Sequence, residues 1–523
     1  MQLFYPKPII APSTLKVIDK HYRFFVSLFI AYFCFCWIYK LSVLPGLHGD
    51  EAWAGLRADT WTRSGVEHLY GMNTYTGILQ TLLAYVIFDT FKIGVVQLRI
   101  GGVLFNIAAL IIFAKIFVNS KQRRALLLFL LIISQSALYL TSPRIAWEVN
   151  SFTLFFIALL AASALQILKS ANKHNLSWIL VLFIVNILGT YNHVIFSCIA
   201  AAMLLGVLLY SFLYKDYTLK KAIIILVFNQ LNVLIVFFVM RLWLDSVVIK
   251  APAMTSAVCA TLLACELYLV VRLSKFEFDY LFPVNKTIIY GFLTIGFSFF
   301  MFYHGVALFE VFSSYKVVIQ TYSYQQNAFV QGLFISGGVV FACYLCYFLF
   351  FDIVRGGNKA LLALVIVAYF AIFPAYTANC SFRYYLCVYA LLSIYMSIKM
   401  CQSRLSVLPL YISLFTTGIC LNFSLLNIFS APERHLKAID FTIGNHQVET
   451  SAHFLPNKPL IDFLKTNQIS DITYISEQYF LEQPILFYEL FEPWRKSNGR
   501  KAVIDYNFKE VNNGFMMHKL TSP

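Results

Sequence analysis

What most constrains this chain is the succession of apolar stretches along it. Runs of about 17 residues or more, the length a helix needs to cross a bilayer, occur at 24–44, 98–118, 125–141, 150–168, 177–192, 193–213, 222–243, 254–272, 287–312, 328–351, 360–377, 384–400 and 406–426. The stretch 177–213 is continuous, and Tyr191-Asn192-His193 is where it divides. A chain that is 60% hydrophobic and only 12% charged carries roughly half the charge of a soluble domain. Its mean hydropathy of +0.72 agrees. The first run, Phe24 to Leu44, has no small-residue cleavage site and reads as a retained span rather than a signal peptide. The expected class is an all-α polytopic membrane protein.

One further run, Ile78 to Phe91, is ambiguous: as a helix it covers about 21 Å, short of the roughly 30 Å hydrocarbon core. Charge decides it. The net charge of +15 falls mostly in short loops between apolar runs, which makes it a topology signal rather than a nucleic-acid patch. With a cytoplasmic N-terminus and Ile78–Phe91 not crossing, 20 Lys and Arg lie in inner loops and 10 in outer ones; if it crossed, the split would be 11 to 19. The first arrangement obeys the positive-inside rule. It makes Ile78–Phe91 an interfacial helix within a first outer loop, residues 45–97, and gives thirteen spans.

From about Ser430 the composition turns polar. The chain therefore divides into a transmembrane domain, 1–429, and a small C-terminal α/β domain, 430–523, on the outer face. In the latter, Pro459–Lys465 reads as helix, and Ile472–Ile475 and Ala502–Tyr506 as strands. All eleven Cys lie in or beside apolar segments, and the Cys343/Cys346 pair reads as packing rather than redox. There is no metal-spaced Cys/His set and no glycine-rich phosphate loop.

This topology collects polar groups on one side. The first outer loop supplies His48, Asp50, Glu51 and Arg57, then Tyr75-Thr76-Gly77, with Arg99 opening the next span. The second supplies Arg144 and Glu148. Later ones give His193, a Tyr/Gln-rich loop from Ser313 to Ala328, and Arg383-Tyr384-Tyr385. Carboxylates suit general-base work and arginines suit a phosphate. Each also has a bland reading. Asp50 and Glu51 serve equally as helix-capping acids. Arg144 and Arg383 could snorkel, Arg99 could pair with Asp89, His193 could be a core or turn histidine, and Tyr384 fits an aromatic belt. Glu148, between Trp147 and Val149, has no such excuse.

Together these motifs resemble the GT-C glycosyltransferases. The resemblance rests on Asp50-Glu51 after the first span, a long outer loop with a membrane-lying helix, and Arg99-Ile-Gly-Gly opening the next span. Arg144 to Glu148 (Arg-x-x-x-acid) and Arg383-Tyr-Tyr-Leu386 complete it. The branch is similar to the protein O-mannosyltransferases and the lipid A aminoarabinose transferase. Two departures stand out: Tyr75-Thr76-Gly77-Ile78-Leu79 replaces a usual Lys- or His-Pro-Pro-Leu, and the second-loop acid is Glu148 rather than Asp.

The resemblance implies transfer of a sugar, with inversion, from a polyprenyl-phosphate donor to a glycan, lipid or protein hydroxyl outside the cytoplasmic membrane. Asp50, Glu51 and Glu148 would be catalytic. Arg57, Tyr75, Arg99, Arg144, His193, Arg383 and Tyr384 would bind donor phosphate or substrate. Some members use a divalent cation and others none, so a metal, with Asp50 as ligand, stays open. The rivals are a flippase or transporter of lipid-linked sugars, which would favour mid-membrane charge such as Glu266, and an O-antigen ligase or polymerase.

Overall fold

The computed structural model describes residues 12–73, 75–169, 176–214, 220–242, 252–273, 328–373, 382–402, 458–474, 478–494, 500–505 and 516–521, with a few positions between 287 and 312. The helices of the apolar part are α1 (Pro12–Ile38), α2 (Gly49–Ser64), α3 (Leu79–Thr90), α4 (Val95–Asn119), α5 (Arg123–Ser134), α6 (Ala137–Thr141) and α7 (Glu148–Lys169). They continue with α8 (Leu176–Asn192), α9 (Ser197–Tyr214), α10 (Lys220–Leu242), α11 (Pro252–Leu273), α12 (Ala328–Arg355), α13 (Asn358–Ile372) and α14 (Leu386–Gln402). Six helices among the described residues are long and apolar enough to cross a membrane, or up to seven if a bent pair counts as one span. Of the expected spans, 406–426 and most of 287–312 lie outside the described residues, as does the loop 313–327.

The bent pair corrects one expectation. The run 125–141 is not a single helix: α5 stops at Ser134, and the chain turns by 83° before continuing through α6. The reason is local, because the Ser136 side chain accepts the Tyr139 N–H at 3.3 Å and starts a new helix there. The division at Tyr191-Asn192-His193 is found as expected, with a short 3₁₀ turn, Val194–Phe196, between α8 and α9.

The helices pack in a continuous core: α4 lies on α7, α7 on α8, α9 on α13, and α5 on α14. At Gly206 the approach of α13 is so close that a Cβ would stand 2.8 Å from the Val365 backbone, so only glycine fits. The short α3 has 12 residues and packs on α2 and α4. At about 18 Å it is too short to cross.

The polar C-terminal stretch contains α15 (Lys458–Thr466), β1 (Ile469–Tyr474), α16 (Gln478–Phe491), β2 (Arg500–Asp505) and β3 (Met516–Thr521). Strand β1 runs parallel to β2 with α16 as the crossover that a parallel pair requires, and β3 lies antiparallel on the other edge of β2. These elements do not stand apart from the helical body. Leu460, Ile461, Leu464, Ile485, Phe487 and Tyr488 share one buried cluster with Ala52 and Ala58 of α2 and with Ala84 and Phe88 of α3. Gly55 makes the contact possible, since a Cβ there would sit inside van der Waals range of the Phe487 ring, 2.7 Å from Cδ2.

Candidate active site

Helix α2 begins with a reciprocal cap. His48 Nδ1 accepts the Asp50 N–H at 3.1 Å, while the Glu51 carboxylate accepts the His48 N–H at 3.1 Å. This cap turns two adjacent acids in opposite directions. Glu51 is fully buried, whereas the Asp50 side chain is 28% exposed. Because Nδ1 of His48 accepts an N–H, it carries no proton, so its 3.8 Å approach to the Asp50 carboxylate is not an ion pair.

Glu51 faces Arg99. Arg99 Nε and Nη2 donate to the two carboxylate oxygens at 2.9 and 2.8 Å. The remaining guanidinium hydrogens go to Leu41 O and Pro45 O from Nη1 and to Gly46 O from Nη2, at 2.9–3.1 Å. All five N–H groups of Arg99 are thus taken, and the side chain is 0% exposed. Glu51 also accepts the Ala146 N–H at 2.7 Å, which fastens the second outer loop to the first. Arg99 does not pair with Asp89, which lies exposed on α3; the 2.8 Å bond to Glu51 takes its place.

Arg144 is likewise turned inward. It donates to the carbonyls of Cys36, Tyr39 and Leu44, closing the open end of α1 where helix carbonyls lack partners. It is 4% exposed and does not snorkel. Arg57 lies elsewhere on α2, where its guanidinium packs over Trp53, Trp61 and Tyr70 at 5.1–5.4 Å and donates to Tyr70 O.

The other expected residues converge. Tyr70 bridges to Gly77, and residues 75–77 lie against the α8–α9 junction: Gly77 N–H donates to Asn192 O, Val194 N–H donates to Tyr75 O, and Thr76 bridges to His193. Gly77 is required because a Cβ would stand 3.0 Å from the Tyr191 carbonyl carbon and closer still to its oxygen. Asn192 then donates to Glu148 O at 2.8 Å, joining this junction to the start of α7. The result is a row of rings, with Tyr75 on His193 at 5.4 Å and His193 on Tyr384 at 5.1 Å. Arg383 sits over the Tyr384 ring at 5.4 Å and over the Trp147 ring at 4.2 Å. His48 meets the Trp147 ring edge-on at 4.7 Å.

Burial raises the Tyr75 hydroxyl above its ordinary range, helped by Tyr384, Glu148 and Asp50 and opposed by Arg383. All four charged or hydroxyl groups are therefore within electrostatic reach of Tyr75. Burial, with Arg383, pushes His193 down to about 3. Asp50, Tyr75, Glu148 and Arg383 are half-buried, and His193, Tyr384, Trp147 and His48 are buried.

Trp147, in the sequence only the apolar flank of Glu148, lies under the Arg383 guanidinium. An aromatic side chain directly before an unexplained acid was the available signal for a cation–π seat. Among the described residues, no three His, Cys, Asp or Glu side chains converge as a metal site.

No family model matches the chain, and no curated protein matches it. Among solved structures it is similar to ArnT from Cupriavidus metallidurans in the apo state, at 10% identity and a TM-score of 0.39, over 92% of this chain and 93% of that one. It is similar also to ArnT of the same organism bound to undecaprenyl phosphate, at 10% identity and a TM-score of 0.36 over the same shares. At such scores a likeness carries no argument about chemistry.

Proposed function

We propose that this protein is a membrane-embedded transferase acting on a lipid-linked phosphate. More particularly, it reads as a glycosyltransferase of the GT-C kind, taking a sugar from a polyprenyl-phosphate donor. One observation carries the reading: Asp50, Glu148 and Arg383, from three elements far apart in the chain, lie within electrostatic reach of Tyr75 and of the His193 and Tyr384 rings beside it, while their neighbours Glu51, Arg99 and Arg144 are consumed in holding those elements together. A cluster of half-buried carboxylates and one planar cation seated on aromatic faces suits an acceptor hydroxyl on one side and a phosphate on the other.

In this mechanism Asp50 takes the proton of an acceptor hydroxyl as its oxygen attacks the anomeric carbon. The bond from that carbon to the donor phosphate oxygen breaks, and its electron pair stays with the phosphate beside Arg383. A single displacement inverts the anomeric centre. Glu148 holds a hydroxyl of sugar or acceptor, and Tyr75, kept protonated by its surroundings, donates to another. A divalent cation at Asp50 would draw its remaining ligands from substrate and water.

Packing supports the sidedness of this reading. Because α2 and α16 share a core, the first loop and the C-terminal stretch lie together, which supports an even number of crossings between them and a non-crossing α3. In this reading the charge bias of the loops makes that face the extracytoplasmic side of the cytoplasmic membrane, where no nucleotide-sugar pool exists. The transporter reading draws less support: mid-span Glu266 is held by Asn232 at 2.7 Å.

The test is transfer from polyprenyl-phosphate sugars to acceptor by purified protein. Asp50→Asn should fold normally and lose at least about a hundredfold in rate, the size of a general-base contribution. Near-normal transfer by Asp50→Asn would remove Asp50 from the chemistry.

A further inference from the structure

We infer that His193 is a ligand-binding residue of this cluster, an uncharged donor that gives its Nε2–H to an oxygen of the lipid phosphate beside Arg383. The inference rests on the proposed function and adds to it a specific atom and its protonation state.

Three observations lead there. First, the tautomer is fixed. His193 Nδ1 accepts the Ile195 N–H at 3.2 Å as the N-cap of the 3₁₀ turn 194–196, so the ring hydrogen lies on Nε2. Second, that Nε2 is buried and has no hydrogen-bond partner among the described residues, in a side chain only 1% exposed. A buried donor without an acceptor costs free energy, and native structures keep few of them without a use. Third, the ring has no freedom to find a partner elsewhere. It is held between Tyr75 and Tyr384, its own N–H donates to Gly189 O at 3.0 Å, and its backbone bridges to Thr76.

Ligand chemistry follows from the neighbours. Tyr384, against which the ring lies, is next in sequence to Arg383 and packs under its guanidinium. A buried neutral donor and a half-buried cation on adjoining rings call for a group with several acceptor oxygens and negative charge, which a phosphate ester supplies. An imidazolium would duplicate the arginine's charge. Burial and the arginine together keep the ring neutral, so it supplies direction without charge.

Two substitutions separate the ring's two nitrogens. His193→Asn keeps an acceptor where Nδ1 caps the turn and removes the Nε2–H. His193→Gln places an amide N–H near the position of Nε2. The probe is polyprenyl monophosphate without sugar, titrated into purified protein in detergent or nanodiscs, with the unfolding temperature of each unliganded variant as a fold control. Loss of one hydrogen bond to a charged group should weaken binding by Asn about tenfold or more, while Gln stays within about threefold of wild type.

Asn binding as tightly as wild type would overturn the inference. So would a loss seen with the sugar-bearing donor and absent with bare polyprenyl phosphate, since Nε2 would then face the sugar. Asp50→Asn should bind the probe normally. Wild-type protein that failed to bind any polyprenyl phosphate would overturn the proposed function, and this inference with it.

Discussion

Replacing Arg99 by Met should unfold this protein before it affects any substrate. The guanidinium is wholly buried, and all five of its hydrogens are committed: two to Glu51 and three to the carbonyls of Leu41, Pro45 and Gly46. Removing it strands a carboxylate at 0% exposure, left with two backbone N–H donors, from His48 and Ala146. Breaking a buried pair by deleting one partner costs about 3–5 kcal/mol. Against a typical total of roughly 5–15 kcal/mol, that is a large share.

Glu51→Gln should cost a similar amount from the other side. The two substitutions combined should be less harmful than their sum, by about 0.5–3 kcal/mol, because they act on one contact. The measurement is thermal unfolding of purified single and double variants, read by intrinsic fluorescence. An Arg99→Met protein with an unchanged unfolding temperature and a weakened affinity for polyprenyl phosphate would refute the reasoning and place Arg99 in the donor site.

Three further outcomes are expected. Arg383→Ala should reduce transfer about tenfold or more, as one lost charge-assisted bond of roughly 1.5–3 kcal/mol implies; Arg383→Lys should not restore it in the same assay, because a point charge lacks the planar face that lies on Trp147. Gly55→Ala should lower the unfolding temperature by forcing a methyl group into the Phe487 ring, at about 1–3 kcal/mol for overpacking. The third concerns pH: His193 is depressed to about 3 when folded, against about 6.5 unfolded. Between those values the unfolded chain binds a proton the folded one refuses, so stability rises with pH and is lost on acidification. From above pH 6.5 down to pH 5, about 1.5 units amount to roughly 2 kcal/mol, and His193→Gln should flatten that part of the stability curve.

That six of the candidate residues come together was legible in the sequence because it depends on order and sidedness. Asp50, Glu148, Tyr75, His193, Arg383 and Tyr384 sit at loop positions that a consistent topology puts on one face. The division of labour among them was not legible. Whether Asp50 or Glu51 faces outward is set by the cap at His48, and that cap is read only with the helix start in place.

Arg99 has Asp89 nearby in sequence, yet its partner comes from the far end of the first loop, chosen by the packing of α2 on α3 and of α3 on α4. Arg144 looked like a surface anchor because its acceptors are backbone carbonyls of α1, and carbonyls have no sequence signature. The bend after Ser134 hid within a run of uniform hydropathy, where a serine cap is a small signal.

The seat of α16 on α2 also bears on when the protein becomes competent. A ribosome makes the acid-bearing helix early and threads most of the membrane helices before α15 and α16 emerge. Only then can Phe487 close over Gly55 and Leu460, Ile461 and Leu464 complete the cluster beneath Ala52 and Ala58. Until that moment the helix carrying Asp50 has an open flank. A chain that ends before α15 and α16 carries the acids and the arginine without the packing that covers this flank of α2. The support of the helix that carries Asp50 is thus among the last contacts of the described fold to be made.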